Sequence, residues 1–113
     1  MYKLVILIEQ PQDEAAFEAR WPDFLKPAER MPGLLREVTS RVHSTVFGAH
    51  PASMIHELYF ASLDSLKAAL SSPEGILAGQ ILQRITRGNV TLLFAEHLED
   101  ELANIRPPEP VEK

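Results

Sequence analysis

Met54-Ile55-His56-Glu57-Leu58-Tyr59-Phe60-Ala61-Ser62-Leu63-Asp64-Ser65-Leu66-Lys67-Ala68-Ala69-Leu70 decides how the chain is read, because its apolar period changes across one residue. Met54, His56, Leu58 and Phe60 share one strand face, and Ile55, Glu57, Tyr59 and Ala61 share the other. After Ser62, an N-cap residue, Leu63, Leu66 and Leu70 recur at helical spacing. The segment is a strand running into a helix. A carboxylate and a phenol occupy one face of a strand otherwise suited to burial.

Upstream, Lys3 to Glu9 is apolar in both registers, as expected of a strand buried on both faces. Asp13 caps a helix carrying Ala16, Phe17, Trp21, Phe24, Leu25 and Ala28, which Pro22 and Pro27 interrupt, so that a break or a second short helix restarting at Pro22 is expected. Trp21 reads as a core anchor. Leu34 to Val46 alternates, with Leu34, Val38 and Val42 on one face and Glu37, Thr39, Arg41 and His43 on the other. The turn-rich stretch 47–53 then makes a long-looped hairpin with the strand from Met54. Downstream, Ser72-Pro73 opens a helix with Ile76, Leu77, Ile81, Leu82 and Ile85 as its stripe, Arg87-Gly88-Asn89 stops it, and Val90 to Leu98 is a fourth strand.

The order strand, helix, strand, strand, helix, strand is the split-βαβ, ferredoxin-like arrangement, an α+β fold with a four-stranded antiparallel sheet. Residues 1–98 form the domain. Residues 99–113 form an acidic, Pro-rich arm, short helical or extended at first and disordered at its end, with five acids and two bases. Three strands are apolar on both faces, but two helical crossovers cover only one, so a second copy is expected on the other. That gives a symmetric homodimer whose two sheets close around a shared core or cavity.

Composition narrows the function classes. With 113 residues and no cysteine, there is one modest core, no disulfide and no thiol nucleophile or thiolate metal site. The net charge of −5 comes with scattered Lys and Arg, which argues against nucleic acid, and the longest apolar run, Leu4 to Ile8, is too short for a membrane span or signal core. A cytoplasmic protein is expected. His43, His50, His56 and His97 lack metal-ligand spacing, with His43 and His56 on opposite faces, so neither metal nor cofactor is expected.

Candidate functional groups are the polar residues expected to face the inter-sheet space. Glu57, Tyr59 and His43 form the catalytic set, a carboxylate, a phenol and an imidazole able to move protons in a partly dry cavity. Arg41, Thr39 and His97 form the ligand-binding set; the plainer alternative is an Arg41–Glu57 ion pair across the strands at a dimer seam.

Phe17-Glu18-Ala19-Arg20-Trp21, Pro27, Met31-Pro32-Gly33-Leu34, His56-Glu57-Leu58-Tyr59-Phe60 and Ser72-Pro73-Glu74-Gly75 together resemble the ethyl tert-butyl ether degradation (EthD) family of the dimeric α+β barrel superfamily. The resemblance runs to about His97. It implies a homodimeric barrel around small, hydrophobic or aromatic ligands, and an activity among cofactor-independent oxygenases, cyclases and isomerases. A non-catalytic accessory or ligand carrier is the alternative. The histidine four residues after the family tryptophan is here Leu25, and an Asp after the Ser-Pro-Glu turn is Gln80. Any family chemistry needing those two side chains is absent.

Overall fold

The computed structural model describes residues 1–105. Its order is β1 Tyr2–Glu9, α1 Glu14–Ala28, β2 Arg36–Arg41, β3 Ala52–Phe60, α2 Leu63–Ser71, α3 Pro73–Thr86, β4 Val90–Glu96 and a single turn, α4, Leu102–Ile105. The sheet is antiparallel throughout, in the order β2-β3-β1-β4. This is the expected α+β ferredoxin-like fold.

The capping chemistry lies where the sequence places it. Asp13 accepts from the Ala16 N–H at 3.0 Å, and the Ser62 hydroxyl accepts from the Ser65 N–H at 3.0 Å. Ser72 ends α2 and also caps α3, accepting from the Gly75 N–H at 3.1 Å. That double use brings the two helices end to end. A Cβ on Gly75 would stand 2.1 Å from the Ala69 carbonyl oxygen and 2.8 Å from the Leu70 Cα, both backbone atoms with no rotamer to escape into. Gly75→Ala is therefore expected to destabilise the protein by about 1–3 kcal/mol, measured by urea denaturation, whereas Gly79→Ala, in open space, stabilises or leaves stability unchanged.

The core lies between the helices and one sheet face. Leu4, Ile6, Ile8, Met54, Leu58 and Phe60 from the sheet meet Phe17, Trp21, Phe24, Ala28, Leu66, Ala69, Ala78 and Leu82. Trp21 anchors it, as expected, at 5.6 Å from Phe17 and 4.9 Å from Phe24 between ring centres.

Three boundaries differ from expectation. Helix α1 does not break at Pro22 but runs through both Pro22 and Pro27. Pro22 lies on the exposed side, and Phe17, Trp21 and Phe24, buried on either side of it, hold the helix to the sheet across the lost hydrogen bond. The second strand is β2, six residues long instead of Leu34 to Val46. After Val42 N–H donates to Ser53 C=O, only Ala52 of β3 remains, and Val46 and Phe47 stand in solvent. Strand β4 stops at Glu96, opposite Tyr2, because its partner β1 starts there; the last bond is His97 N–H to Met1 C=O.

Among the described residues, helices α1, α2 and α3 leave the second sheet face bare. Val5, Leu7, Ile55 and Val38 are half-buried on it, beside Leu93 of β4. The arm after β4 leaves Leu98, Leu102 and Ile105 exposed, and the end expected to be disordered lies outside the described residues. Among the described residues no helix is long and apolar enough to cross a membrane.

Candidate functional site

Strand parity sorts the candidate residues into two groups. In β3, Glu57 and Tyr59 face the open side, and their β2 neighbours are Val38 and Arg36. Thr39 and Arg41 pair with His56 and Met54 and so point under the helices. The expected grouping of Thr39, Arg41 and His43 with Glu57 and Tyr59 is thereby overturned. The ten-residue loop 42–51 permits either parity, so the alternation within each strand leaves the choice open.

On the open side, Tyr59 is roofed although it faces away from the helices, and only 3% of its surface is accessible. The Arg36 guanidinium carbon lies 4.2 Å and the Lys3 Nζ 5.3 Å from the centre of its ring, and His97 meets it edge-on at 4.8 Å. Lys3 pairs with Glu57, and Glu99 accepts from His97 at 2.7 Å and lies 3.6 Å from Arg36. The hydrogen bond to Glu57 holds the Lys3 ammonium above its ordinary range, and Tyr59 raises Arg36 in the same way. The bond from His97 lowers the Glu99 carboxyl. Three of the expected site residues, Glu57, Tyr59 and His97, thus meet in one patch with two cations that no motif had singled out. Such a patch can bind an acidic or enolic oxygen.

The other expected site residues lie elsewhere. Arg41 is bidentate to Glu18 on α1, which excludes the cross-strand pair with Glu57, since Arg41 is on the opposite face. His43 lies beyond β2, exposed, with Nδ1 3.2 Å from the Ser44 hydroxyl. Its expected placement on a strand face, opposite His56, does not apply.

Thr39 touches the most unusual group in the core. Its Oγ1 is 2.8 Å from Nδ1 of His56, which is 0% exposed and meets Trp21 and Phe24 edge-on at 5.2 and 5.9 Å. The His56 Nε2 faces Glu37 Oε2 at 3.5 Å, too long for a good hydrogen bond, and both atoms are buried without a partner. Burial first, and the neighbouring Glu29 carboxylate second, push Glu37 up to about 7. Burial pushes His56 down to about 4, against the pull of Glu29 and Glu57. At neutral pH the imidazole is therefore uncharged, and the contact is not an ion pair.

Sequence reasoning missed this pair, because it grouped Glu37 with Thr39, Arg41 and His43 on the face turned toward Glu57 and Tyr59, away from His56. It also missed a groove of about 450 Å³ between α3 and β4, walled by Ile76, Leu82, Val90 and Leu92, floored open by Gly79 and Gly88, with the Gln80 and Gln83 amides as polar handles. Gln80 is the position where the family Asp was expected. Among the described residues that line the groove none ionises in the physiological range. No group of three or more His, Asp or Glu side chains is placed to hold a metal among the described residues.

No family model matches the chain. An uncharacterized 11.0 kDa protein from the thcB-thcC intergenic region of Rhodococcus erythropolis is 29% identical over 97 residues, covering 85% of this chain and 94% of that protein. The solved structure of the cofactor-independent oxygenase SnoaB from Streptomyces nogalater shares the fold alone, with 18% identity and a TM-score of 0.63 over 89% of this chain and 95% of that one. A ferredoxin-like protein from Jannaschia, described as dimeric, has a TM-score of 0.67 at 15% identity, over 86% of this chain and all of its own. An EthD family protein from Bacillus halodurans superposes with a TM-score of 0.80 at 26% identity, over 87% of this chain and 99% of that one. In sequence motifs and in fold alike, the chain resembles the ethyl tert-butyl ether degradation family.

Proposed function

We propose that this chain is a small-molecule-binding protein of the EthD type, working in the cytoplasm as a homodimer whose bare sheet faces meet. Its ligand is a neutral or weakly polar hydrophobic compound held between α3 and β4. The observation that carries this reading is the groove itself. Its size falls within the usual range for small-molecule sites, its walls are apolar, and two amides supply orientation without charge. With no acid or base at hand, the groove supports binding, as in a carrier or accessory protein, rather than catalysis.

Gly79 gives a clean test. Because a Cβ there meets nothing within 4 Å, a leucine fills the groove without displacing the core. Gly79→Leu is expected to weaken binding of the neutral dye Nile red at least about tenfold, about 1.4 kcal/mol. Thermal stability should hold or rise by up to about 1 kcal/mol from helix propensity. Unchanged dye binding would remove the groove from consideration.

A second reading, a cofactor-independent oxygenase, cyclase or isomerase, is supported by Tyr59, Glu57 and His97 gathering on the face that the dimer would enclose. There Tyr59 would hold the substrate oxygen and Glu57, once freed from Lys3, would take the proton; His43 has no part. Loss of turnover of an identified substrate in both Tyr59→Phe and Glu57→Gln, with the dimer intact, is the result this reading requires.

A further inference from the structure

A second cavity, of about 260 Å³, opens at the far end of β1, where the start of α1 meets the end of α3. Its floor is apolar, built from Ile8, Phe17 and Ile85. Three arginines also line it, Arg20 from α1 and Arg84 and Arg87 from α3 and its cap, together with Asn89. In a chain of net charge −5 with 11 basic residues, that convergence runs against the overall balance. Arg36 and Arg41 are paired with carboxylates, but Arg20, Arg84 and Arg87 form no ion pair among the described residues. Glu9 and Asp13 also line the cavity, and the Asp13 carboxylate is engaged in capping α1.

The backbone adds an independent sign. Arg87 holds φ at 54°, the left-handed region, and is the one non-glycine residue to do so among the described residues. Glycine or asparagine would occupy a helix C-cap of this geometry with less strain. The chain instead keeps there an arginine that lines the cavity.

We propose that this cavity binds a small organic anion with an apolar body, an aryl or short alkyl carboxylate or the phosphate monoester of a comparable group. The headgroup sits against the planar donors of Arg20, Arg84 and Arg87, which match carboxylate and phosphate oxygens in pairs, and the body rests on Phe17 and Ile85. The site is separate from the α3–β4 groove and stands or falls without it.

The test is titration of the full chain with benzoate and phenyl phosphate, followed by amide NMR shifts at Gln12, Arg87 and Asn89. Saturable shifts at those amides are expected, and whichever anion binds more tightly identifies the headgroup. Arg20→Gln combined with Arg84→Gln should weaken binding at least about tenfold, and raising salt to about 0.5 M should weaken it further in the unaltered chain. Arg30→Gln, away from the cavity, should change nothing. The proposal is overturned if neither anion shifts those amides, if the double variant binds as well as the parent, if benzyl alcohol binds as tightly as benzoate, or if inorganic phosphate matches phenyl phosphate.

Discussion

Leu7→Asp is expected to convert the proposed dimer into folded monomers, seen in sedimentation as halving of the mass at micromolar concentration. Leu7 sits near the middle of the bare sheet face, flanked by Ile55 on β3 and Thr91 on β4, and is half-buried even in a single subunit. Covered by a second copy, a carboxylate there would lose its water without gaining a partner, at a cost of several kcal/mol. A symmetric interface contains the substitution twice, so the dissociation constant should rise by at least about a hundredfold. In the lone subunit the same carboxylate stays wet, and the helix-side core of Leu4, Ile6 and Ile8 is untouched, so the fold survives. A variant that remains dimeric would place the contact elsewhere, and the exposed edge of β4 with Leu92 and Phe94 would become the first alternative.

What could be read from the residues, and what could not, follows from how far apart the deciding groups are. The caps at Asp13, Ser62 and Ser72, the strand-to-helix change after Phe60, and the bare face were legible because each depends on residues within a few positions of one another. Element ends were less so. Residues 43–46 have strand-like alternation and no strand, because a partner and not a pattern supplies the hydrogen bonds. The site suffered most, since the parity between β2 and β3 is set through a ten-residue loop and a slip of one residue exchanges the faces. That single slip separated Thr39 and Arg41 from Glu57 and Tyr59, and hid the contact between Glu37 and His56.

That buried contact gives the second large effect, a pH dependence that is muted in the unaltered chain. His56, at about 4 when folded against 6.5 unfolded, contributes stability that is complete above 6.5 and lost as pH falls through 4. Glu37, at about 7 against 4.5, contributes stability that is complete below 4.5 and lost as pH rises through 7. The two slopes have opposite signs, up to about 1.4 kcal/mol per pH unit for buried His56 and less for Glu37, which water screens, so between 4.5 and 6.5 they partly offset each other. Below about 7 the protonated Glu37 can donate to Nε2 while Nδ1–H donates to Thr39. Above it the Thr39 hydroxyl donates to Nδ1 and Nε2–H faces the carboxylate. Glu37→Gln removes one arm of the balance, so its stability should climb by roughly 2 kcal/mol from pH 4.5 to 6.5 in urea titrations. His56→Gln removes the other, and its stability should fall between pH 4.5 and 7, by about 1 kcal/mol because Glu37 is 29% exposed and water screens part of its cost. Parallel profiles for the two variants would mean that burial does not shift Glu37 and His56 in opposite directions, and that no such balance operates in the unaltered chain.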